Sequence, residues 1–386
     1  MIKRGSLVVT CCVIMFLYAV YFGAIGVLLP YVGVSFGLGS SVEGRLFPAN
    51  FIGAIVGVLL CGYLSDLWGR KTVLLLNTIL FALGMCLFGN APTFGVALLA
   101  TGLIGGASCA METVASALAS DIYPEKRAVI LNAIQIAFGA GATVSPTMAH
   151  TLLTHGTTWR SLYVVMGLLN LVMFVFMLFQ RFPSQKSGEE TLHISALIPL
   201  LKQRAFGFLC LAQALYVGAE TGFFSWMPTY FLKRLPDGAR WSGLVVTLFW
   251  LAMTLGRAVV SVILPRFSLI RLIVALSFGG AICSLLTLTS LNPIMVMVWV
   301  FGTGLCFSGI FGLIMAEAGE RYSKIAGTAF GGIIAAGGLG GALVPWGVGV
   351  LADTPLDWRG ALIVIPIICL TMALLLLTLN KQKLSA

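Results

Sequence analysis

The sequence predicts an all-α membrane protein with 12 transmembrane helices, arranged as two pseudo-symmetric six-helix halves. Three observations support this fold class: an apolar composition, apolar runs of helix length along the whole chain, and an internal repeat. Of the 386 residues, 59% are hydrophobic and 9% are charged, whereas an ordinary soluble domain is about 25% charged. This composition excludes the usual water-exposed surface and leaves no segment for a soluble domain.

Apolar runs follow one another from end to end, and a membrane-spanning helix needs about 20 such residues. They lie near residues 7–29, 43–64, 72–90, 94–120, 127–152, 160–181, 205–232, 241–265, 270–290, 293–317, 325–352 and 358–380. The first run lacks a small-residue cleavage site, so we expect a helix there rather than a removed signal peptide. The longest polar stretch follows the sixth run. We therefore expect an N-terminal half at 1–181, a cytoplasmic linker at 182–204 and a C-terminal half at 205–386.

Basic residues are concentrated in alternate loops. One set of loops carries Lys3, Arg4, Arg70, Lys71, Lys126, Arg127, Arg181, Lys186, Lys202, Arg204, Arg266, Arg271, Arg321, Lys324, Lys381 and Lys383, and the other carries Arg45, Arg160, Lys233, Arg234, Arg240 and Arg359. Short loops rich in Lys and Arg stay in the cytoplasm. This pattern predicts a multi-pass protein of the cell (inner) membrane with both termini cytoplasmic. The net charge of +10 then reflects topology, and we expect no nucleic-acid partner.

The two halves repeat each other at a constant offset. Trp159 and Arg160 recur as Trp358 and Arg359, 199 residues later (358 minus 159), and Pro146 maps onto Pro345 at the same offset. Further pairs follow the same pattern: Gly139 with Gly338, Gly141 with Gly340, and the segment 21–25 with the segment 216–220. One offset that holds across two helices and a loop indicates a two-fold design, which is typical of secondary transporters.

The turn between the second and third runs contains the most specific motif. Residues 62–71 read Gly-Tyr-Leu-Ser-Asp-Leu-Trp-Gly-Arg-Lys; the glycines allow a tight turn, and Asp66 can pair with a cation or cap a helix. This motif resembles the signature loop of the major facilitator superfamily. The resemblance implies the major facilitator fold, with Asp66, Arg70 and Lys71 as a gating latch between the halves. The alternative is a basic turn that only fixes topology.

Other features extend this resemblance over the whole chain. The segment 121–127, Asp-Ile-Tyr-Pro-Glu-Lys-Arg, follows the fourth run, and the Trp-Arg turns precede the sixth and twelfth. The second half departs from the pattern because Pro265 stands at the position that matches Asp66, with only Arg266 and Arg271 nearby. The second latch is therefore degenerate.

Three ionisable residues lie deep within apolar runs: Glu112, Glu220 and Arg257. Each costs a few kcal/mol there unless it faces a cavity or a partner. Glu112 lies nine residues before Asp121, hence roughly 13 Å from the helix end. Both acids are candidate proton-coupling groups, and Arg257 is a candidate gating residue. The alternatives are a permanent salt bridge between one acid and Arg257, or an Arg257 side chain that extends to the membrane surface.

Aromatic and amide side chains accompany these acids along the sequence. Rings cover the apolar face of a sugar-sized ligand, while amides and hydroxyls satisfy its polar groups. The candidate substrate-binding residues are Tyr21, Asn132, Gln135, Gln213, Tyr216 and Trp250.

A narrower resemblance concerns the two acids. Met111-Glu112-Thr113-Val114-Ala115 and the segment 216–221, Tyr-Val-Gly-Ala-Glu-Thr, are similar to motifs of the fucose and glucose:proton symporter branch of the superfamily. That resemblance implies that Glu112 faces the cavity and takes part in proton coupling. The chain departs from the branch at Ser116-Ala117, where the branch has Asn-Pro.

Glycine-rich segments occur in the fifth run, at residues 138–142, and in the eleventh, at residues 331–341. We expect them at the interface between the halves, because small residues let helices approach closely in lipid. A nucleotide-binding role is disfavoured, since no strand precedes them and no acidic residue follows. The nine cysteines are expected to be free thiols.

Several chemistries lack their motifs. The sequence contains no phosphate-binding Walker loop, no GxSxG and no HExxH, and its three histidines are not spaced as metal ligands. We therefore expect no enzymatic activity, no cofactor and no metal.

The leading hypothesis is a secondary active transporter that works by alternating access. It moves a small polar solute, for which a sugar is a candidate, in symport with protons or sodium, and we expect a monomer surrounded by lipid. One alternative is a proton-driven efflux antiporter of drugs or organic ions, since direction is not encoded in these residues. Another is a membrane receptor that binds a ligand without transporting it.

Overall fold

Helices make up the described chain. The computed structural model describes residues 4–182, 199–200, 202–322 and 325–384. Before the predicted linker the helices are α1 (Arg4–Phe36), α2 (Ser40–Glu43), α3 (Leu46–Gly89), α4 (Phe94–Ile122), α5 (Arg127–Thr154) and α6 (Trp159–Leu178). After it come α7 (Arg204–Arg234), α8 (Gly238–Ile263), α9 (Leu269–Thr289), α10 (Pro293–Phe307), α11 (Ile310–Arg321), α12 (Ala326–Ala352), α13 (Asp357–Leu362) and α14 (Val364–Leu384).

The described helices include 12 stretches that are long and apolar enough to cross a membrane. Each predicted run corresponds to one of these spans, which confirms the fold class. Several spans differ in detail from single helices. The helix α3 contains most of the second span and all of the third, α10 and α11 together form the span Pro293–Arg321, and α13 and α14 together form the span Asp357–Thr378. Most of the predicted linker, residues 183–198 and 201, lies outside the described residues, so its role as a linker stays a prediction.

Gly69 breaks α3 between its two spans. Its backbone angles are φ 78° and ψ 156°, a region that essentially only glycine occupies, because a Cβ there would clash with the backbone. The motif therefore forms a sharp turn, as the sequence predicts. A side chain at this position would strain the junction between the second and third spans.

Close packing divides the chain into two units. Unit 1 comprises Met1–Leu38 and Ala49–Thr191, and unit 2 comprises Gly39–Pro48 and Leu192–Ala386. In unit 1, α1 packs most extensively against α5, and in unit 2, α7 packs most extensively against α12. The nine cysteines are free thiols, as predicted.

Glycines at matching positions hold these two helix pairs together. A Cβ on Gly141 of α5 would lie 2.5 Å from the Phe16 carbonyl oxygen of α1, and a Cβ on Gly340 of α12 would overlap the Ala214 carbonyl oxygen of α7. The prediction that these glycines lie between the halves was wrong for both, because each brings two helices of the same unit into contact. The sequence shows where the small residues are, but not which helix they face.

The first Trp-Arg turn fixes the end of α3 within unit 1. The Arg160 guanidinium donates hydrogen bonds to the carbonyl oxygens of Gly89 and Ala91, at 3.2 and 2.9 Å. It also lies over the rings of Phe36 and Trp159, at 5.3 and 4.5 Å from their centroids. This arginine therefore satisfies carbonyls that a helix end leaves unpaired.

Candidate functional site

Glu220 is the part-exposed residue in an otherwise buried stretch of α7. Every other residue from Gly218 to Phe231 is buried, whereas Glu220 keeps part of its surface accessible. A carboxyl group surrounded by apolar helix surface is costly unless it reaches water or a partner. The structure thus leaves part of this acid accessible on the surface of unit 2.

Two groups interact electrostatically with the Glu220 carboxyl. The Tyr216 hydroxyl, one turn earlier on α7, and the Arg257 guanidinium on α8 both interact with this carboxyl. Glu220 and Arg257 nevertheless form no ion pair within 4.0 Å. The arginine is exposed, so the acid is influenced by a nearby positive charge without being neutralised by a closed salt bridge. The predicted salt bridge between these two residues is therefore not formed in this structure.

Gln213 lies two turns before Glu220 on the same helix. Its side chain is fully buried, and neither its Oε1 nor its Nε2 atom has a hydrogen-bond partner. The amide lies against α12, where a Cβ on Gly337 would come within 3.1 Å of Gln213 Cγ. An unpaired buried polar atom costs about 1–3 kcal/mol. Gln213 therefore has hydrogen-bonding capacity that the protein does not use here.

Aromatic rings surround this part of unit 2. Trp250 of α8 is 2% exposed and packs against Phe224 and Phe249, with ring centroids at 5.2 and 5.6 Å. Tyr216 is also 2% exposed, and its ring lies edge-on to Phe307 at 6.0 Å. Both predicted substrate-binding rings are thus packed into an aromatic cluster, while Glu220 beside them remains accessible.

The acid of unit 1 lies on α4. Glu112 is half-buried, and its carboxyl lies close enough to Tyr18 of α1 and to Cys109 to interact with both electrostatically. The Tyr18 hydroxyl is also in contact with Ser108, one turn before Glu112. Glu112 therefore lies beside the polar groups of Tyr18 and Cys109, and its placement toward a cavity stays a prediction.

The other candidates of unit 1 differ in accessibility. Tyr21 is 4% exposed, and its hydroxyl accepts a hydrogen bond of 3.0 Å from Asn50 Nδ2. Its ring packs edge-on against Phe81. Asn132 and Gln135 on α5 are exposed. The structure thus holds Tyr21 inside the unit and leaves the two amides accessible.

Lys71 of the predicted gating motif makes its hydrogen bonds within unit 1. The Lys71 ammonium donates hydrogen bonds to the carbonyl oxygens of Leu178 and Gln180, at 3.1 and 2.7 Å, and so caps the end of α6. Arg70 is half-buried. The side chain of Asp66 lies outside the described residues, so the latch role of these three residues stays a prediction.

Two further buried acids were not identified from the sequence. Glu317 on α11 is 1% exposed and pairs with Arg321 at 2.5 Å; the Glu-x-x-x-Arg spacing could have revealed this pair. Glu43 on α2 is 7% exposed and lies at the very start of the second run, where its depth could not be judged from hydropathy. Glu317 therefore has a positive partner on its own helix.

A cavity in unit 1 is not part of this site. It has a volume of about 640 Å³, lies between α3 and α4, and is lined by apolar residues such as Ile52, Val56 and Leu99. It contains none of the candidate residues. An apolar groove of this kind in a membrane-spanning helix pair is compatible with lipid chains rather than with a polar solute.

Comparisons with known proteins agree with the architecture. A family model described as Major Facilitator Superfamily matches residues 11–326. A TsgA homolog from Edwardsiella ictaluri is 26% identical over 307 residues, covering 78% of this chain and 76% of the relative. A TsgA homolog from Buchnera aphidicola is 22% identical over 332 residues, covering 83% and 82%.

Solved structures show the same fold. The E. coli fucose:proton symporter FucP has a TM-score of 0.67 at 18% identity, covering 96% of this chain and 97% of that chain. The nucleoside transporter NupG has a TM-score of 0.81 at 14% identity, covering 97% and 99%. Similarity at this level of identity carries the fold but not the substrate.

Proposed function

The chain belongs to the major facilitator superfamily, and on this premise we propose that it carries a small polar solute, with sugars as the leading class, in symport with protons. Membership in this family makes it a multi-pass membrane transporter rather than an enzyme. The direction of transport, the coupling ion and the solute are the parts that the proposal adds. It assigns proton binding to Glu220 and Glu112.

The accessibility of Glu220 is the observation that carries the proposal. A carboxyl that titrates during transport must reach water in at least one state, and it must sit where burial and nearby charge can change its proton affinity. Glu220 meets both conditions, because it is part-exposed within a buried helix stretch and lies near Arg257 without a closed ion pair. A movement of either residue would therefore alter its charge state.

Glu112 is the corresponding group of unit 1. It lies with Tyr18, Ser108 and Cys109 on the polar face shared by α1 and α4. The fucose:proton symporter with the same fold is a proton-coupled sugar transporter by its description, which supports sugars and protons as the first choices. The exposed amides of Asn132 and Gln135 supply hydrogen-bonding groups suited to a hydroxyl-rich solute.

Uptake into proteoliposomes tests the coupling. We expect solute accumulation driven by a pH gradient, abolished by a protonophore and lost in Glu220→Gln, because the amide cannot bind and release a proton. Glu320→Gln is the matched control, since Glu320 is an exposed acid of the same unit. Glu112→Gln should weaken coupling as well, with the exposed Glu125 as its control.

Three results would count against the proposal. Gradient-dependent accumulation that persists unchanged in Glu220→Gln would remove its proton-binding role. Proton-driven depletion of solute from vesicles would favour the efflux antiporter. Saturable ligand binding with no flux in either direction would favour the receptor.

A thermal-shift screen identifies the solute class. Sugars, nucleosides, organic acids and cationic drugs are compared at two pH values, because a ligand that binds the folded protein raises the melting temperature. Stabilisation by sugars that depends on pH and disappears in Glu220→Gln supports the proposal. Stabilisation confined to cationic drugs contradicts it.

The proposal also includes the orientation in the membrane. The basic loops that contain Arg70, Lys71, Arg266 and Arg271 should face the cytoplasm of a bacterial-type inner membrane, with both termini on the same side. A reporter that fluoresces only in the cytoplasm should be active when fused after Ala386. Activity of a periplasmic reporter at the same position would reverse the orientation.

A further inference from the structure

Two cysteines of unit 2 meet between neighbouring helices. Cys283 lies on α9 and Cys306 lies near the end of α10, and both are within membrane spans. Their thiols share a side-chain hydrogen bond. Both helices belong to unit 2, so the contact lies within one unit. Neither residue takes part in the transport chemistry proposed above.

Two glycines make room for these thiols. A Cβ on Gly279 of α9 would lie 2.7 Å from Cys306 Sγ, and a Cβ on Gly302 of α10 would lie 3.0 Å from Cys283 Sγ. Each glycine precedes the cysteine of its own helix by four residues, which places the two on the same helix face. The arrangement is therefore reciprocal, because each thiol lies against the glycine of the opposite helix and the two sulfur atoms are neighbours.

The pair is more accessible than the third thiol near it. Cys283 and Cys306 are half-buried, whereas Cys369 of α14, which interacts electrostatically with Cys306, is 0% exposed. Ile282, next to Cys283 on α9, is 58% exposed, as expected for an apolar residue that faces lipid. The paired thiols are thus open to small neutral molecules in the bilayer, while Cys369 is enclosed.

The number of available ligands limits what the pair can bind. Within the part of the chain that the structure describes, no cluster of three or more His, Cys, Asp or Glu residues could hold a metal ion. Zinc takes three or four such protein ligands, so the pair does not form a zinc site. Thiols prefer soft, polarisable partners, and a charged complex is costly inside a membrane. These conditions favour a soft centre that binds two thiols and carries no net charge.

We propose that Cys283 and Cys306 form a two-thiol binding site for monosubstituted trivalent arsenicals. In the reaction with R–As(OH)₂, two As–O bonds break and two As–S bonds form, and each hydroxyl leaves as water with one thiol proton. Arsenic stays trivalent, no electrons are transferred, and the reactants and the product are neutral. Inorganic arsenite instead binds three thiols, and the third thiol nearby, that of Cys369, is enclosed. The site therefore discriminates between these two classes of arsenical.

The observed geometry suits a bridge of one atom. The two sulfur atoms are already in contact, so the bound arrangement is largely formed in advance. Once the first As–S bond has formed, the second thiol is held beside the arsenic, and such an intramolecular step typically strengthens binding by about 10²–10⁴-fold. The bridge also links α9 to α10. A cross-link between two helices restricts the unfolded chain and so stabilises the folded protein.

Phenylarsine oxide, which hydrates to phenylarsonous acid, tests the site in the purified full chain in lipid nanodiscs. We expect one phenylarsenic group per chain, located by peptide mapping at Cys283 and Cys306, and a raised melting temperature. Ethanedithiol should remove the group and a monothiol should not, because only a dithiol replaces both bonds together. Cys283→Ser and Cys306→Ser should each weaken binding by about a hundredfold or more. Cys210→Ser is the matched control, because Cys210 is another half-buried cysteine of unit 2.

Gly279→Ala tests the geometry with both thiols present. The added methyl would lie 2.7 Å from Cys306 Sγ, the end of a flexible side chain, which can turn away without unfolding the helix pair. We expect this turn to separate the two sulfur atoms and to weaken phenylarsenic binding toward that of the single-cysteine variants. Gly312→Ala is the control in the same span, because a Cβ at Gly312 would meet no atom within 4 Å.

Three results would overturn the site. Phenylarsenic binding that persists unchanged in both Cys283→Ser and Cys306→Ser would place the ligand elsewhere. An equal loss in Cys210→Ser would show that any half-buried cysteine of the unit serves. Inorganic arsenite bound as tightly as the phenyl compound would contradict a two-thiol site. Because the readout is bound arsenic, loss of proton coupling in uptake assays would contradict the proposed function and leave this inference standing.

Discussion

Units 1 and 2 share one packing scheme and differ in the chemistry that it supports. In unit 1, Gly23 of α1 and Gly141 of α5 bring those helices together, and in unit 2, Gly218 of α7 and Gly340 of α12 do the same. A tyrosine precedes the first glycine of each pair by two residues, Tyr21 in one unit and Tyr216 in the other. The repeat therefore preserves the backbone contacts.

The tyrosines at these matching positions do different things. Tyr21 accepts a hydrogen bond from Asn50 and is fixed within unit 1, whereas Tyr216 faces Glu220, one turn further along α7. Unit 1 carries its acid on α4 instead. Close helix packing therefore constrains the small residues strictly, while the polar side chains beside them are free to diverge between the units.

The largest expected effect concerns the glycines of the shared packing scheme. Gly340→Ala should destabilise the protein by about 3 kcal/mol and Gly141→Ala by about 1–2 kcal/mol, since overpacked contacts typically cost about 1–3 kcal/mol and the added methyl overlaps a backbone oxygen more deeply at Gly340. The melting temperatures of both variants in detergent measure this. Equal values would show that the units tolerate overpacking alike.

The arginines of the two Trp-Arg turns are expected to contribute unequally to stability. Arg160→Ala should cost about 2 kcal/mol, because it removes two charge-assisted hydrogen bonds and two ring contacts. Arg359→Ala should cost less than half as much, since the Nε atom of Arg359 is buried without a hydrogen-bond partner. The denaturation midpoints of the two variants measure this difference. A larger loss of stability in Arg359→Ala than in Arg160→Ala would contradict the prediction.

A substitution of Gln213 is expected to raise the stability of the protein rather than lower it. Gln213→Leu should raise stability by about 1 kcal/mol, because it removes a buried amide whose two polar atoms have no partner. If the amide binds the solute in another state, the same variant should bind the solute at least tenfold more weakly. Asn170→Leu is the comparison in unit 1 and should gain less, because its buried Oδ1 atom lacks a partner but its Nδ2 atom donates a hydrogen bond of 2.9 Å to the Met166 carbonyl oxygen.

The smallest expected effects separate the two tyrosines. Tyr21→Phe should lower stability by about 1 kcal/mol through loss of the Asn50 hydrogen bond, without changing the pH dependence of uptake. Tyr216→Phe should leave stability nearly unchanged and shift the pH profile of uptake, because it removes a hydroxyl that interacts with the Glu220 carboxyl. A pH shift in Tyr21→Phe instead would exchange the roles assigned to the two units.

Much of the fold could be predicted because its determinants are local. Each apolar run of about 20 residues specifies a span on its own, and the offset between Trp159 and Trp358 was visible without coordinates. Glu220 could be chosen as a site residue for the same reason, since a charge within an apolar run is conspicuous. Partners across helices could not be chosen in this way, so the capping of α6 by Lys71 was missed.

The sequence by itself determined the number of spans, the two-fold repeat and the acids that stand out within them, because each of these depends on polarity along the chain. Only the tertiary structure decided that Gly141 and Gly340 pack within a unit, that residues 39–48 belong to unit 2, and that the Asp353 carboxylate accepts hydrogen bonds from the backbone of Ser40 and Ser41. These features depend on contacts between residues far apart in the sequence. Hydropathy reports how apolar a residue's segment is, but not which helix the residue touches.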